Sequence, residues 1–173
     1  MDYSALSVKK AKEYNQVMID KGRCKVIQGD VSKLPLEADS FELVTAFETI
    51  YFWPGLEKCF SQVANILKDG GCFMICNESD GTDKTSKKFE SIIDGMHCYT
   101  PEEITKALKA AGFSKVRSAH HPSKPWITVD SNKISCFKHL YLSNLKHYSR
   151  TLCLYYKTVH SPCGTSLLRL LLR

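Results

Sequence analysis

The sequence contains no apolar run that approaches the roughly 20 residues needed by a membrane-spanning helix. The apolar segment at residues 167–173 is far too short. The first residues, 1–7, lack a basic start followed by an apolar stretch, so we expect no signal peptide. Internal repeats and low-complexity runs are also absent. These absences predict a globular cytoplasmic protein that has no membrane partner.

Acidic residues are missing from one part of the chain. Residues 132–173 contain seven Lys and Arg residues and no Asp or Glu, whereas the formal charge of the whole chain is +6. The body is therefore close to neutral and lacks the basic face that nucleic-acid binding requires, so we expect no nucleic-acid partner. Residues 131–173 also show no sustained hydrophobic period. We predict a domain over residues 1–130 and a poorly integrated basic tail over 131–173.

Paired Cys-x-x-Cys motifs are absent, although the chain has eight cysteines. Cys72 and Cys76 share one face of a predicted strand, but cysteines at such positions are more often small core residues than metal ligands. Cys153, His160 and Cys163 do not match a zinc spacing. We therefore predict free thiols in a reducing compartment and no metal site.

What the chain does contain is an alternation of helical and strand patterns. The first helix follows Ser4, and its apolar residues recur every three or four positions up to Met18. A second helix, with Pro54 at its first position, ends at Asp69-Gly70-Gly71. Three short segments rich in apolar or β-forming residues predict strands, namely Cys24–Gln28, Phe41–Phe47 and Cys72–Cys76.

The second half continues this alternation. Residues 84–94 predict a helix with Phe89, Ile92 and Ile93 facing inward, and Thr100-Pro101-Glu102-Glu103 is a capping box that starts the next helix. Residues 114–119 and 126–129 predict an antiparallel hairpin. The nearly continuous hydrophobicity of Cys72–Cys76 is typical of a buried parallel strand. The fold class is thus α/β: a partial Rossmann-like, doubly wound, mostly parallel sheet with a C-terminal antiparallel hairpin.

Ligands of open α/β sheets bind beyond the carboxyl ends of the strands. Three such ends carry chemically useful residues: Asp2, then Asp30 with Val31, then the aromatic loop at residues 46–53. The first acid suits the hydroxyls of a ribose, and the second suits an adenine amino group with the Val31 N–H nearby. Aromatic rings in the third segment suit a cationic centre.

Several segments in this order resemble one family. They are Asp2-Tyr3-Ser4, Gly29-Asp30-Val31, Leu34-Pro35-Leu36, Asp39-Ser40-Phe41-Glu42-Leu43-Val44 and Leu67-Lys68-Asp69-Gly70-Gly71. Together they resemble the class I S-adenosylmethionine-dependent methyltransferases of the small-molecule type over residues 1–130. The resemblance implies S-adenosylmethionine as cofactor and a family strand order of 3-2-1-4-5-7-6.

The resemblance also implies site residues. Asp2 would bind the cofactor ribose, Asp30 and Val31 the adenine, and Phe47 would lie beside the methionine and methyl end. The residues expected to contact a small-molecule substrate are Glu48, Tyr51, Trp53 and His97. Methyl transfer depends mainly on alignment and desolvation, and only some acceptors need a general base, so the catalytic residue stays open.

One departure concerns the glycine-rich loop that holds the methionine portion in this family. That loop precedes the position matching Asp2, so we expect an N-terminally truncated product without its first strand, glycine loop, first helix and nearly all of its second strand. Without these strands, the sheet has a gap between Cys24–Gln28 and Phe41–Phe47, and three alternatives are open. Cys24–Gln28 docks beside Phe41–Phe47, this part is loose, or a second polypeptide completes the sheet.

Two functions from different classes follow. The first is methyl transfer from S-adenosylmethionine to a small molecule, impaired to some degree by truncation. The second is a non-catalytic methyltransferase-fold remnant that acts as an interaction module. A nicotinamide-dependent dehydrogenase is disfavoured because no G-x-G-x-x-G motif is present.

Overall fold

The structure, a computed structural model, describes residues 1–133 and the backbone of residues 167–170. The helices are α1 (Ala5–Tyr14), α2 (Gln16–Asp20), α3 (Leu56–Ile66), α4 (Lys84–Ile92) and α5 (Pro101–Ala110). The strands are β1 (Phe41–Phe47), β2 (Leu67–Asn77), β3 (Ser114–His120), β4 (Ile127–Asn132) and β5 (Leu167–Leu170). They form one sheet in the order β3-β4-β2-β1-β5. Within the described part, no helix is long and apolar enough to cross a membrane.

The sheet confirms the α/β class and the C-terminal hairpin. Strands β1 and β2 pair in parallel, from Leu43 opposite Cys72 to Phe47 opposite Cys76. Strand β4 runs antiparallel to β2, and β3 runs antiparallel to β4. Strand β5 adds antiparallel to β1. Among the described strands, parallel pairing is therefore confined to β1 and β2, which is less than the mostly parallel sheet we expected.

An aromatic cluster forms the centre of the core. The Trp53 ring stacks on Phe73 at 6.2 Å between centroids, with an interplanar angle of 8°. Phe60 of α3 meets both rings edge-on, at 5.9 Å from Trp53 and 5.4 Å from Phe73. Ile104 and Leu108 of α5 are fully buried in the same cluster. The apolar stripes of α3 and α5 thus pack on the sheet, and this packing fixes the carboxyl ends of β1 and β2.

The helix starts follow the predicted capping residues. The Ser4 hydroxyl accepts a hydrogen bond from the Ser7 N–H at 3.3 Å and caps α1. Thr100 and Glu103 form the complete capping box of α5. Both caps satisfy backbone donors that a helix start otherwise leaves unpaired.

Three predictions about strand and helix positions were wrong. Cys24–Gln28 forms no extended strand, because its backbone makes only one isolated parallel bridge, between Asp2 and Gln28. It docks against Asp2 rather than beside Phe41–Phe47. Helix α3 starts at Leu56, after Gly55, so Pro54 precedes the helix instead of occupying its first position. Asp69-Gly70-Gly71 belongs to β2, which already starts at Leu67.

The predicted inward face of α4 was also wrong. Phe89, Ile92 and Ile93 are 41%, 63% and 38% exposed, respectively. The buried residue of α4 is Ser86, whose main-chain N–H donates to the capping carboxylate of Asp83 at 3.0 Å. The helix is therefore anchored through polar contacts at its start, and its apolar residues face solvent in the described part of the chain.

The chain divides into two compact units. The first comprises Met1–Ser135 with Ser166–Arg173, and the second comprises Cys136–Thr165. The second unit, with Cys153, His160 and Cys163, lies outside the described residues. Most of the predicted tail, residues 131–173, also lies outside the described residues. Its first residues are described, because β4 runs to Asn132. The division at residues 130 and 131 therefore stays a prediction.

Candidate functional site

A cleft of about 280 Å³ lies where the chain start, the turn after Gln28 and the loop after β1 come together. We call it the Asp2–Asp30 cleft. Its lining residues are Met1, Asp2, Tyr3, Gly29, Asp30, Val31, Thr49, Phe52, Trp53 and Pro54. Three separate chain segments thus contribute to a single cavity.

Asp2 is fixed in this cleft by backbone pairing. Its N–H donates to the Ile27 carbonyl oxygen at 3.3 Å, and its own carbonyl oxygen accepts from the Gly29 N–H at 3.0 Å. The side chain is only 5% exposed, and Oδ1 accepts from the Ser4 N–H at 2.7 Å. Oδ2 is buried and has no hydrogen-bond partner among the described residues. Burial raises the pKa of Asp2, against the opposing effect of the Ser4 hydrogen bond.

Asp30 lies on the other side of the turn and is exposed. Its Oδ1 accepts from the Ser32 N–H at 2.8 Å, which caps the short 3-10 turn Val31–Lys33. The same hydrogen bond is the main reason that the pKa of Asp30 is lowered. The carboxylate therefore stays ionised, and it is exposed to solvent. Val31 packs against the core beside it.

The Met1 side chain lies over Gly29 at this turn. A Cβ atom on Gly29 would come within 2.9 Å of the Met1 sulfur, which is the end of a flexible side chain and can shift. The chain start therefore packs on the turn that carries Asp30. Trp53 closes the far side of the cleft, and its 7% exposure shows that most of its ring belongs to the core.

A second group of polar residues lies at the carboxyl ends of β1 and β2. Glu48 follows β1, and its Oε1 accepts a hydrogen bond from the Glu78 N–H. The Tyr51 hydroxyl donates to Glu48 Oε2 at 3.2 Å and accepts from the Ser79 N–H at 3.1 Å. We call these four residues the Glu48–Tyr51 network. It joins the loop after β1 to the loop after β2.

Burial dominates the electrostatics of this network. It raises the pKa of Glu48 to about 8, against the lowering effect of the Glu78 N–H. Burial also raises the pKa of Tyr51, with the Glu48 carboxyl as the next cause. In addition, Glu48 has a φ of 54°, a left-handed conformation that is uncommon for a residue other than glycine. Such strain tends to occur where a side chain must be aimed precisely.

The structure separates the predicted site residues into two groups. Asp2, Asp30, Val31 and Trp53 line the Asp2–Asp30 cleft. Glu48 and Tyr51 belong to the Glu48–Tyr51 network, which His97 joins by donating its backbone N–H to the Tyr51 carbonyl oxygen at 2.9 Å.

His97 and Phe47 differ from the other predicted residues in their surroundings. The His97 side chain is exposed and lies 3.0 Å from Glu90 through its Nδ1. Phe47 is half-buried at the end of β1 and is not among the described cleft-lining residues.

Sequence reasoning missed some residues of the cleft. Thr49 and Phe52 line it, and both belong to the loop at residues 46–53 that was predicted at the ligand-binding end, but neither was named as a site residue. Thr49 is 1% exposed, and its hydroxyl has no hydrogen-bond partner among the described residues. The only available signal was its position two residues after a predicted strand.

Comparison with known proteins gives matches to methyltransferases. Residues 1–75 match a family model described as a methyltransferase domain. A sterol 24-C-methyltransferase of Gibberella zeae is 31% identical over 108 residues, which cover 57% of this chain and 28% of that protein. A sterol 4-C-methyltransferase of Caenorhabditis elegans is 29% identical over 97 residues, which cover 54% and 29%, respectively.

The fold is also similar to that of solved methyltransferase structures. A SAM-dependent methyltransferase of Thermotoga maritima superimposes with a TM-score of 0.57 at 18% identity, over 70% of this chain and 69% of the other. Residues 1–75 are therefore similar to a methyltransferase domain in sequence, and the fold is similar to that of a SAM-dependent methyltransferase. A geranyl diphosphate C-methyltransferase of Streptomyces coelicolor, solved with S-adenosyl-L-homocysteine, gives a TM-score of 0.66 at 9% identity, over 76% and 63%.

One of these similar structures is named as SAM-dependent and another contains S-adenosyl-L-homocysteine, so the comparisons support S-adenosylmethionine as the cofactor. The chain spans less than a third of the length of these two sterol methyltransferases. Four of the five described strands, in the order β3-β4-β2-β1, match the strands 6-7-5-4 of the order that the sequence resemblance implied.

Proposed function

We propose that this chain binds S-adenosylmethionine in the Asp2–Asp30 cleft and transfers its methyl group to a small-molecule acceptor. The observation that supports the proposal most directly is the buried Oδ2 of Asp2, which lacks a partner among the described residues. An unpaired buried oxygen costs about 1–3 kcal/mol, and a ligand that donates a hydrogen bond recovers that cost. The hydroxyl groups of a ribose are such donors.

The remaining cleft residues suit the other parts of an adenosyl group. The ionised Asp30 carboxylate accepts hydrogen bonds and matches the amino group of adenine. Val31 and Trp53 offer apolar surface on either side. When bound, the cofactor supplies a methyl group already activated on a sulfonium. The chain then has to orient the ligand and exclude water.

The acceptor is proposed only by class. The named substrates of two relatives are sterols, and a solved neighbour is named for geranyl diphosphate. An unsaturated isoprenoid is therefore the first acceptor to test. The Glu48–Tyr51 network, with His97, lies at the sheet edge where such an acceptor would approach. We also propose a cytoplasmic location, supported by Cys24, Cys59, Cys72, Cys76 and Cys98, which are all free thiols.

Isothermal titration calorimetry with S-adenosylhomocysteine tests cofactor binding. We expect micromolar affinity for the wild type and an at least fivefold weaker Kd for Asp30→Asn, since a hydrogen bond to a charged group is worth about 1.5–3 kcal/mol. The matched control is Asp94→Asn, because Asp94 is an exposed acid outside the cleft. Absence of binding by the wild type would refute the proposal and favour the non-catalytic interaction module.

Methyl transfer needs a separate measurement. Purified chain is incubated with S-adenosylmethionine labelled in the methyl group, together with a sterol, an isoprenoid diphosphate or an amine. Label in the extracted acceptor identifies the substrate class. Binding of S-adenosylhomocysteine without transfer to any acceptor would leave the cofactor site intact and refute the proposed activity on these acceptor classes.

A further inference from the structure

Most of the exposed apolar side chains lie on one short part of the chain. Eight large apolar side chains are exposed among the described residues, and five of them lie within residues 3–18. They are Tyr3, Leu6, Tyr14, Val17 and Met18. We call the exposed side chains of residues 3–25 the α1–α2 surface, because four of the five belong to these two helices. Such a concentration of exposed apolar side chains indicates an interaction site.

Helix α1 presents a mixed row of side chains to solvent. Leu6, Lys10 and Tyr14 are spaced four residues apart, so they follow one another along the same side of the helix. Leu6 and Tyr14 are 58% and 63% exposed, and Lys10 is exposed between them. Val8, on the opposite side of α1, is buried. The solvent-facing row therefore alternates apolar and basic side chains.

The α1–α2 surface is also strongly basic. Its exposed charged residues are six basic and two acidic residues, a balance of +4. The basic residues are Lys9, Lys10, Lys12, Lys21, Arg23 and Lys25, and the acidic residues are Glu13 and Asp20. None of the six basic side chains forms a salt bridge with a described residue. Their charges are therefore available to an anionic partner outside the chain.

We propose that the α1–α2 surface binds the anionic face of a phospholipid bilayer. Leu6, Val17 and Met18 enter the boundary between headgroups and acyl chains, while the basic side chains contact anionic headgroups. Tyrosine, with an apolar ring and a polar end, favours the same boundary, and Tyr14 is placed for it. The long stem of Lys10 lets its ammonium group reach the headgroups while the neighbouring apolar side chains lie deeper.

Charge argues against two other occupants. A second copy of this surface would bring two clusters of +4 face to face, which is repulsive. A nucleic acid is bound through phosphates and base edges, so it gives no reason for exposed aliphatic side chains such as Leu6 and Val17. The expectation of no membrane partner rests on the lack of a spanning segment, which surface binding does not require. The inference is independent of the proposed function.

Helix α4 provides an internal comparison. It also exposes apolar side chains, among them Phe89 and Ile92. Its charges balance, however, because three basic residues in and beside the helix are offset by three acidic ones. These residues are Lys84, Lys87 and Lys88 with Asp83, Glu90 and Asp94. We therefore expect no bilayer binding by α4, and variants of this helix serve as matched controls.

Co-sedimentation of the purified chain with lipid vesicles tests the proposal. One set of vesicles contains equal parts of phosphatidylserine and phosphatidylcholine, and the neutral reference contains phosphatidylcholine alone. We expect at least tenfold tighter binding to the mixed vesicles, since each basic residue near an anionic bilayer contributes about fivefold in affinity. Added salt should weaken this binding, because it screens exposed charges.

The charge is tested with two double variants. Lys9→Gln with Lys10→Gln removes two positive charges from α1, so we expect at least tenfold weaker binding to the mixed vesicles. Lys84→Gln with Lys87→Gln removes the same charge from α4 and should bind as the wild type does. All four lysines are exposed, so thermal unfolding should be the same for both variants.

The apolar contribution is tested in the same way. Leu6→Gln with Val17→Gln keeps the charge and removes two apolar side chains from the α1–α2 surface, so we expect about tenfold weaker binding. Phe89→Gln with Ile92→Gln is the control on α4 and should leave binding unchanged. Loss of binding in the first variant, with unfolding temperatures equal to that of the wild type, supports insertion of these side chains.

Three results would overturn the proposal. The first is a wild type that binds neither kind of vesicle. The second is an equal loss of binding in the α1 and α4 variants, because attachment would then depend on total charge rather than on this surface. The third is binding to polyglutamate or duplex DNA in place of the mixed vesicles, which would indicate an acidic protein or a nucleic acid as the partner.

Discussion

The Tyr51 hydroxyl and the Glu48 carboxyl form a hydrogen-bonded pair, 3.2 Å apart, that fastens two loops of the sheet edge together. In the loop after β2, the Glu78 N–H donates a hydrogen bond to the Glu48 carboxyl, and the Ser79 N–H donates one to the Tyr51 hydroxyl. The stability of this edge consequently depends on the protonation state of one carboxyl group.

We expect the pH dependence of stability to change when Glu48 is replaced by glutamine. Burial raises the pKa of Glu48 from 4.5 to about 8, so the folded protein keeps a proton that the unfolded chain releases. The stabilisation is complete below about pH 4.5 and declines as the pH rises towards 8. Between pH 5 and 8, the wild type should lose on the order of 2 kcal/mol relative to Glu48→Gln.

Urea denaturation at several pH values measures this difference. Glu13→Gln is the control, because Glu13 is exposed on α1 and its replacement should leave the pH profile parallel to that of the wild type. Parallel profiles for Glu48→Gln as well would contradict the buried, protonated state of Glu48.

Tyr51→Phe tests the other half of the pair. The variant removes the hydroxyl that accepts from the Ser79 N–H and donates to Glu48, in a side chain that is 4% exposed. We expect the free energy of unfolding to fall by about 1–3 kcal/mol, since buried partners lose their hydrogen bonds. Tyr3→Phe should change it by less than about 0.5 kcal/mol, because Tyr3 is 64% exposed. Equal stabilities of the two variants in urea would show that the network contributes nothing to the fold.

Local sequence signals predicted much of the fold. The bounds of β1, Phe41–Phe47, agree with the prediction, because apolar and β-forming residues there are flanked by polar turns. The capping box at Thr100 was recognisable because its donors and acceptors lie within four residues. The prediction of a strand at Cys24–Gln28 was wrong, because a strand needs a neighbouring strand to pair with. Among the described residues, this segment pairs only through the single bridge between Asp2 and Gln28.

The α4 prediction failed for a related reason. Periodicity identifies an apolar stripe but does not say whether another element covers it. We therefore expect Ile92→Ala to change the free energy of unfolding by less than about 0.5 kcal/mol, since Ile92 is 63% exposed. Ile104→Ala, at a fully buried position of α5, should cost about 2–5 kcal/mol. Similar losses in chemical denaturation would mean that the α4 stripe is covered in solution.

The site was predictable only in part. Asp2, Asp30 and Val31 stand in recognisable segments, and the structure brings all three to one cleft. Thr49 lies in the predicted loop at residues 46–53, but its burial without a described hydrogen-bond partner is a three-dimensional property that the sequence does not show. The roles of Asp2, Asp30 and Val31 in cofactor binding stay predictions until the titrations are done.

Two glycines near α4 allow a test of close packing. Gly81 and Gly95 both have positive φ, 74° and 72°. A Cβ atom on Gly81 would collide with the Cys98 carbonyl oxygen. A Cβ atom on Gly95 would have no atom of the described residues within 4 Å. Gly95→Ala should cost about 1–2 kcal/mol from the left-handed conformation alone, and Gly81→Ala should cost clearly more. Equal melting temperatures of the two variants would contradict the close approach of residues 81 and 98.

The antiparallel pairing of β5 with β1 has a kinetic consequence. About 120 residues separate Phe47 from its partner Leu167, whereas β1 and β2 are joined through a single helix. Closing the longer loop costs more chain entropy, so this ladder forms after the parallel one. Its amide hydrogens should consequently exchange with solvent sooner than those shared by β1 and β2.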